Sequence, residues 1–448
     1  MREGNLEAPT RHSYDWKNPD FYDADKLDVE LRRIFDICHG CRRCFNLCDS
    51  FPRLFDLIDA AGDAELAGVK SADFGAVIDA CTLCDMCFMT KCPYVPPHAF
   101  NLDFPHTIVR ARAIEFHQGK VPLAVRQITE TDRNARLARP VAVLVNWVTK
   151  RGNRLFRWFL EAVVGLHRDA ELPAYAGDSF ETLARRKAPL INSEAPAYGR
   201  KAAIFATCFV NHNTPEIGLA ARAVLARNGV ATKVVYPGCC GMPQLEQGDI
   251  ARIAGMARKT AAALLPLVRD GYDIVVPVPS CGLMMKFEWP LIVPDDKDVA
   301  ALSQAVFDLS EYVVGIARKE GLAPGLSPID GGISVHLACH ARAQNMGAMG
   351  AEMLRLLPET RVATIERCSG HGGSWGIRRD NFEVALKVGK PAAAQFVKNK
   401  TRHLCSECPL AGPHLVQAIE KFSPEAKPSP STHPIELVAQ SYGIEIAS

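Results

Sequence analysis

The stretch Ala202-Ala203-Ile204-Phe205-Ala206-Thr207-Cys208 decides how this chain is read. It is a short apolar run that ends at a cysteine, which predicts a strand delivering a thiol at its C-terminal end. A helical stretch follows over about 216–228. A second strand, 232–236, runs into Cys239-Cys240-Gly241, and a helix over about 249–269 leads to a strand at 274–278 and Cys281. The same order then returns. A strand at 333–337 ends at Cys339, and a helix covers about 348–357. A strand at 362–365 ends at Cys368-Ser369-Gly370, a helix covers about 381–398, and Cys405-Ser406-Glu407-Cys408 closes the copy. Such an internal repeat of strands alternating with helices predicts two α/β domains of parallel β-α units. Cysteines at strand C-termini stand where open α/β sheets gather their ligands.

Aligning the copies pairs Cys208 with Cys339, Cys239 with Cys368, Cys240 with Ser369 and Cys281 with Cys405, and sets Met284 opposite Cys408. Each copy lacks a different member of a five-cysteine pattern. The thiols that remain are Cys208, Cys239, Cys240 and Cys281 in the first copy, and Cys339, Cys368, Cys405 and Cys408 in the second. Four thiolates suffice for a 4Fe–4S cluster or a tetrahedral zinc, and soft sulfur ligands do not separate the two. An iron–sulfur cluster in each copy is the expectation, with zinc or a metal-free, transiently disulfide-bonded state as alternatives. Gly241 and Gly370 give the tight loops that let backbone approach such a group.

Outward toward the N-terminus stand two denser runs, Cys38-x2-Cys41-x2-Cys44-x3-Cys48 and Cys81-x2-Cys84-x2-Cys87-x4-Cys92-Pro93. Three thiols at this spacing in a tight loop wrap one face of a cubane, and the fourth usually crosses to the other cluster. The expected sets are Cys38, Cys41, Cys44 and Cys92 for one 4Fe–4S cluster, and Cys81, Cys84, Cys87 and Cys48 for the other. A zinc ribbon does not need such a triplet twice. Asp49 stands where a proline usual to such runs would follow Cys48, and the second run carries one extra residue before Cys92. Between the runs, Leu54, Leu57, Ile58, Leu66, Phe74, Val77 and Ile78 have helical spacing. The reading is a helical two-cluster ferredoxin-like domain over 31–112, after an N-terminal extension over 1–30.

The fold class is therefore α+β and multidomain, with the α/β copies over 199–325 and 326–448. The segment between, 113–198, has no cysteine and reads as a helical linker, with glycine and proline punctuating 173–177 and 189–199. Within it 155–166 is apolar and aromatic, flanked by Lys150, Arg151, Arg154 and Arg168. That pattern fits an in-plane membrane helix, or a helix packed on neighbouring domains. Arg151, Arg154 and Trp158 are the candidates for membrane contact.

The chain has 448 residues, 48% hydrophobic and 23% charged, with a formal net charge of +2, so no nucleic-acid partner is expected. Sixteen clustered cysteines behind a polar N-terminus, without a signal-peptide pattern, predict metal binding in the cytoplasm rather than disulfides. No apolar run is long enough to span a bilayer. The expected location is cytoplasmic, with peripheral contact on the inner face of the membrane as an extension of that reading. His340 and His371 are candidates for hydrogen bonding or proton transfer at a cluster, or loop histidines satisfied by backbone. His98 and His106 read as loop-shaping and Trp375 as packing. The glycines 370–373 lack the Lys-Ser/Thr of a phosphate loop, and no dinucleotide fingerprint follows a strand, so no flavin is expected on this chain.

The segment from Cys208 through Phe209-Val210-Asn211-His212-Asn213-Thr214-Pro215-Glu216-Ile217 to Gly218, the turn Cys239-Cys240-Gly241-Met242-Pro243, and His433-Pro434-Ile435-Glu436-Leu437-Val438-Ala439-Gln440 resemble the C-subunit family of anaerobic glycerol-3-phosphate dehydrogenases. More broadly, the chain is similar to the cysteine-rich CCG proteins, which include heterodisulfide reductase subunits and iron–sulfur subunits of glycolate and lactate oxidases. The resemblance covers about 31–448 and is weakest in the middle. It implies an electron-transfer subunit that takes electrons from a flavoprotein dehydrogenase and passes them to a quinone or another acceptor. In heterodisulfide reductases, complete motifs carry non-cubane clusters that cleave a disulfide. Met284 and Ser369 interrupt both motifs here, and conduction survives that loss more easily. Two readings stay beside the first: a terminal reductase of a disulfide or peroxide system, including electron supply to a peroxidase, and a zinc-holding scaffold that binds a partner. Whether this chain turns over a substrate itself is left open between them.

Overall fold

The computed structural model describes residues 8–62, 65–426 and 428–446, so the first seven residues of the N-terminal extension lie outside it. Its architecture is α+β with two parallel sheets. The first contains β1 (Lys201–Phe205), β2 (Ala231–Val235), β3 (Asp273–Val276) and β4 (Val306–Asp308), in the order β2-β1-β3-β4. The second contains β5 (Ile333–His336), β6 (Val362–Ile365) and β7 (His403–Ser406), in the order β6-β5-β7. Each sheet thus has its earliest strand inside. Ala203 lies between Lys233 and Ile274, and Val335 between Thr364 and Cys405. Helices cover both faces of a parallel sheet, which is why inner strands are apolar throughout. Ala202, Ala203, Ile204 and Phe205 are all buried, as is the whole of β5.

The helices predicted beside these strands lie at Pro215–Arg227, Ile250–Arg269, Met349–Arg355 and Phe382–Asn399. Their starts follow local chemistry. Pro215 sits in a first turn, where its missing N–H costs nothing, and the Asp249 side chain accepts from the Arg252 N–H. Strands β4 and β7 escaped the sequence reading. Three residues of Val-Phe-Asp and the mixed His-Leu-Cys-Ser carry little strand pattern of their own, and both are edge strands whose state is decided by the neighbour they join.

The cysteine-rich N-terminal part is helical among its described residues. Its main helices are Ala24–Cys41, Ser50–Asp59, Gly75–Ala80 and Phe104–His117. Asp23 caps the first by accepting from the Asp25 and Lys26 N–H groups. Arg42, in the left-handed region at φ 51°, turns the chain out of it directly after Cys41. Ile34, Phe35, Phe51, Phe55, Phe74 and Ile108 are buried between these helices, in a core continuous with that of the first sheet. The described part of the N-terminal extension is laced into the fold. Thr10 N–H donates to the Pro96 carbonyl at 3.0 Å, Tyr14 N–H to Leu291 at 2.9 Å, and the Trp16 indole to Ile292 at 2.8 Å.

The middle segment carries a helical hairpin, Ala142–Thr149 and Arg154–Val164. Arg157 locks it. The residue is 1% exposed, and its guanidinium donates to the carbonyls of Thr149, His167, Arg168 and Ala170. The opposite face keeps Val143, Trp147, Leu155, Trp158, Phe159 and Val163 exposed. Among the described residues no helix is long and apolar enough to cross a membrane.

A cysteine-lined cavity as the candidate functional site

The first sheet gathers four thiols. Cys208 opens a helical turn just beyond β1, Cys239 and Cys240 follow β2, and Cys281 lies in the short helix after β3. The Sγ atoms of Cys208 and Cys239 are 3.9 Å apart. Cys239 is the member favoured as thiolate, because Cys208, then Cys240, hydrogen-bond to it, and the Gly241 N–H adds a contact at 3.5 Å. The hydrogen bond with Cys239 raises the Cys208 thiol, with burial second. The Cys240 thiol is raised by its hydrogen bonds with Cys239 and Cys281. Asp132, from the middle segment, accepts from the Cys239 N–H at 3.0 Å and from the Tyr236 hydroxyl. Neither Asp132 nor Tyr236 figures as a site candidate in the sequence reading. Tyr236 had a signal, its place at the end of a strand that leads to cysteines; Asp132 had none.

The second sheet brings together three of its four expected thiols. Cys339, Cys368 and Cys408 share a neighbourhood: burial raises the Cys339 thiol, and Cys84, Cys368 and Cys408 raise it further. Gly370 N–H donates to the Cys368 sulfur at 3.3 Å. Cys405 stands apart. It lies within β7, opposite Val335, and is fully buried. After burial, the groups that raise its thiol are Glu407 and Glu436. A side chain inside a strand belongs to the sheet's packing, whereas residues beyond the C-terminal end reach the sheet edge, as Cys408 does. Cys408 also lies within electrostatic reach of Cys281 from the first sheet. Met284 is fully buried, and Ser369, where the first copy has Cys240, lines the cavity described next.

The N-terminal runs fall into two neighbourhoods. After burial, the groups that raise the Cys38 thiol are Cys92, Cys44 and Cys41. Those that raise Cys48 are Cys84 and Cys81, and those that raise Cys87 are Cys84, Cys81, Cys44 and Cys48. Burial pushes Cys92 up to about 11. Backbone N–H groups counter it at several sulfurs: Ser50 and Phe51 at Cys48, Met86 at Cys84, Tyr94 and Val95 at Cys92.

The second N-terminal neighbourhood and both sheets contribute to one cavity of about 2140 Å³, lined by Cys48, Cys84, Cys208, Cys240, Cys281, Cys339, Cys368 and Cys408, whereas Cys38, Cys41, Cys44 and Cys92 are not part of its wall. The middle segment, expected as a linker, supplies part of its wall through Ile128, Thr131, Leu137 and Val145. His340 ties the three cysteine-bearing regions together. Burial holds its pKa down, so the ring is neutral; Nε2 donates to the Leu83 carbonyl at 3.1 Å, and Nδ1 accepts from the Ser280 hydroxyl at 2.7 Å. His371 and His414 also line the cavity, with ring centroids 5.6 Å apart; burial lowers them to about 3 and about 4. His98 accepts from the Phe100 N–H, and His106 contacts Asp103 and Glu288, so both shape their surroundings.

The donor chemistry fits iron–sulfur clusters: sulfur ligands, burial from water, and backbone N–H groups aimed at sulfur to favour the thiolate. Among the described residues, no three or more His, Cys, Asp or Glu side chains converge on a single ion-sized point.

Parallel β-α units that present thiols past their strand ends define a cysteine-rich α/β protein, and residues 202–286 match the family model described as the CCG cysteine-rich domain. The chain is homologous to the C subunit of anaerobic glycerol-3-phosphate dehydrogenase. It is 24% identical to the Escherichia coli K12 protein over 342 residues, which is 75% of this chain and 81% of that one. It is 26% identical over 232 residues to an uncharacterized iron–sulfur protein of Methanococcus maripaludis, 50% of this chain and 43% of that one. It is 25% identical over 189 residues to lactate utilization protein A of Bacillus pumilus, 40% of this chain and 75% of that one.

Proposed function

We propose that the chain is the iron–sulfur electron-transfer subunit of an oxidoreductase complex, relaying electrons between a flavoprotein dehydrogenase and a quinone or other acceptor. The observation that carries this reading is that thiols from the second cysteine run and from both sheets line one cavity. The groups also lie within electrostatic reach of one another, Cys44 of Cys87, Cys84 of Cys368 and Cys339, and Cys408 of Cys281. Cys38, Cys41, Cys44 and Cys92 would hold one 4Fe–4S cluster, and Cys48, Cys81, Cys84 and Cys87 another. Cys208, Cys239, Cys240 and Cys281 would hold a third group, and Cys339, Cys368 and Cys408 would contribute to a fourth, to which the pairing of the two copies also assigns Cys405. Such clusters supply one-electron transfer when bound, with potentials set by burial and hydrogen bonds to sulfur. The chain's own part is to exclude water, fix the thiols and aim N–H groups at them. Homology with a dehydrogenase subunit supports a dehydrogenase partner. The exposed aromatic face of the 142–164 hairpin supports peripheral contact with the inner face of the membrane, beside a quinone pool.

A second reading, a terminal reductase acting on a disulfide or peroxide or feeding a peroxidase, draws on the cavity. Thiols from both sheets border one space larger than a typical small-molecule pocket. Iron, acid-labile sulfide and zinc per chain, measured on protein purified without oxygen, test both readings together. About 16 iron atoms support relay through four clusters, whereas about 8 iron atoms with one or two zincs would leave the C-terminal half a zinc-holding, partner-binding scaffold. Turnover of a disulfide or peroxide without any partner protein would favour the terminal reductase.

A further inference from the structure

Arg11 lies in the N-terminal segment that the relay leaves without a role. Its side chain is 11% exposed and faces three carboxylates from three parts of the chain. Nη1 and Nη2 donate to both oxygens of Asp85 at 2.9 Å, Nε donates to Asp103 at 3.0 Å, and Nη1 also reaches Glu288 at 3.1 Å. The guanidinium lies 4.1 Å from the Phe88 ring centroid. Glu288 also accepts from the Tyr14 hydroxyl at 2.9 Å, and His106 contacts Asp103 and Glu288. Asp85 sits inside the second cysteine run, between Cys84 and Cys87, held at φ 61° where few residues other than glycine settle. A bidentate arginine is the geometry that fixes a carboxylate most firmly.

We infer that Arg11 is a positioning residue that sets the reduction potential of the cluster held by the second cysteine run, by fixing the Asp85 carboxylate beside it and offsetting its charge. The inference rests on the iron–sulfur reading. Reduction adds a negative charge, so an unopposed carboxylate nearby disfavours it and a nearby cation favours it. The field of Asp85 reaches this run, raising the Cys81 and Cys84 thiols as a minor contribution beside burial, with Arg112 acting in the opposite sense at Cys81. Arg11 is the arginine of a nest that also holds Asp85, Asp103, Glu288 and His106.

The test is an EPR-monitored redox titration of full-length, anaerobically purified protein, with iron and sulfide measured on the same samples. Arg11→Gln is expected to lower the midpoint potential of one N-terminal cluster, Asp85→Asn to raise it, and Arg11→Lys to stay nearer the parent than Arg11→Gln. Two single substitutions in one ion pair then move one signal in opposite directions. Unchanged potentials in both variants at full iron content, or shifts of the same sign, overturn the inference. Faster proteolytic release of the N-terminal segment at unchanged potential would make Arg11 a tether and likewise overturn it. Should Arg11→Gln fail to fold, Asp85→Asn and Arg11→Lys decide. Absence of iron from the parent protein would instead sink the iron–sulfur reading, so the two failures are distinguishable.

Discussion

Gly241 and Gly370 hold matching places after their cysteines, yet their surroundings differ. Both are in the left-handed region, at φ 92° and 82°. A Cβ at Gly241 would press on the Cγ1 and Cγ2 atoms of the buried Ile253 at 3.2 and 3.3 Å, a contact relieved by a shift of a few tenths of an ångström, whereas one at Gly370 would collide with the Ala385 carbonyl oxygen. Gly241→Ala should therefore cost about 1–2 kcal/mol, chiefly from backbone conformation. Gly370→Ala should cost about 3 kcal/mol or more, because backbone must move as well, and urea unfolding of the two variants checks the order. Glu246 gives a pH prediction. It accepts from the Ser374 hydroxyl at 3.2 Å, and burial pushes it up to about 7 despite Arg112. The folded state then binds a proton that the unfolded state has released, so the contribution is full below about 4.5, the ordinary glutamate value, and is lost as pH rises through about 7. Glu246→Gln should flatten the fall in stability across that window, read as the difference between the two unfolding curves at each pH. Both sites show what sequence leaves out. The glycines are legible as turn formers, but Ala385 and Ser374 are distant in the chain from the residues they meet or flank, and no pattern announces them.

At the scale of elements, the hairpin 142–164 is the clearest case of a pattern with two meanings. An amphipathic, aromatic stretch flanked by arginines suits a membrane surface or an internal contact equally, and periodicity cannot tell which face is covered. The fold separates the faces. Arg157 is buried under four carbonyls, Glu161 pairs with Arg168, and the aromatic side remains bare. Of the flanking charges, Arg151 pairs with Glu420 on the second α/β half. Replacing Leu155, Trp158 and Phe159 together with Ser should weaken binding to anionic vesicles by about tenfold or more, since each half-inserted side chain contributes on the order of 1 kcal/mol. Sedimentation with vesicles measures this, and unchanged partitioning would remove the membrane assignment. Arg157→Met, by contrast, should leave the aromatic face in place but destabilise the fold by about 3 kcal/mol, since four carbonyls lose a charged donor.

For the whole molecule, the architecture was largely written in strand–cysteine punctuation. Five of the seven strands and the four flanking helices lie where apolar runs and their breaks put them, because parallel β-α units bury continuous apolar stretches that local sequence displays. The edge strands β4 and β7 did not show, since pairing rather than composition makes them strands. The final assembly also decides coupling. His340 joins segments around Leu83, Ser280 and itself, and this suggests a global measurement: His340→Ala should loosen all three cysteine-bearing regions together, seen as faster hydrogen exchange at 81–85, 279–283 and 339–343 relative to the parent. Protection lost in one region alone would assign it a local role. What the sequence by itself determined is the chemistry: which residues are thiols, their spacing, and the strands that carry them, since these follow from covalent order and short-range periodicity. Only the tertiary structure decided which thiols face one another, that Cys405 stays in its sheet while Cys408 reaches the cavity, that the middle segment walls that cavity, and that Arg11 meets Asp85. Those contacts join residues tens to hundreds of positions apart, and they are selected by packing of whole faces, which no local pattern encodes.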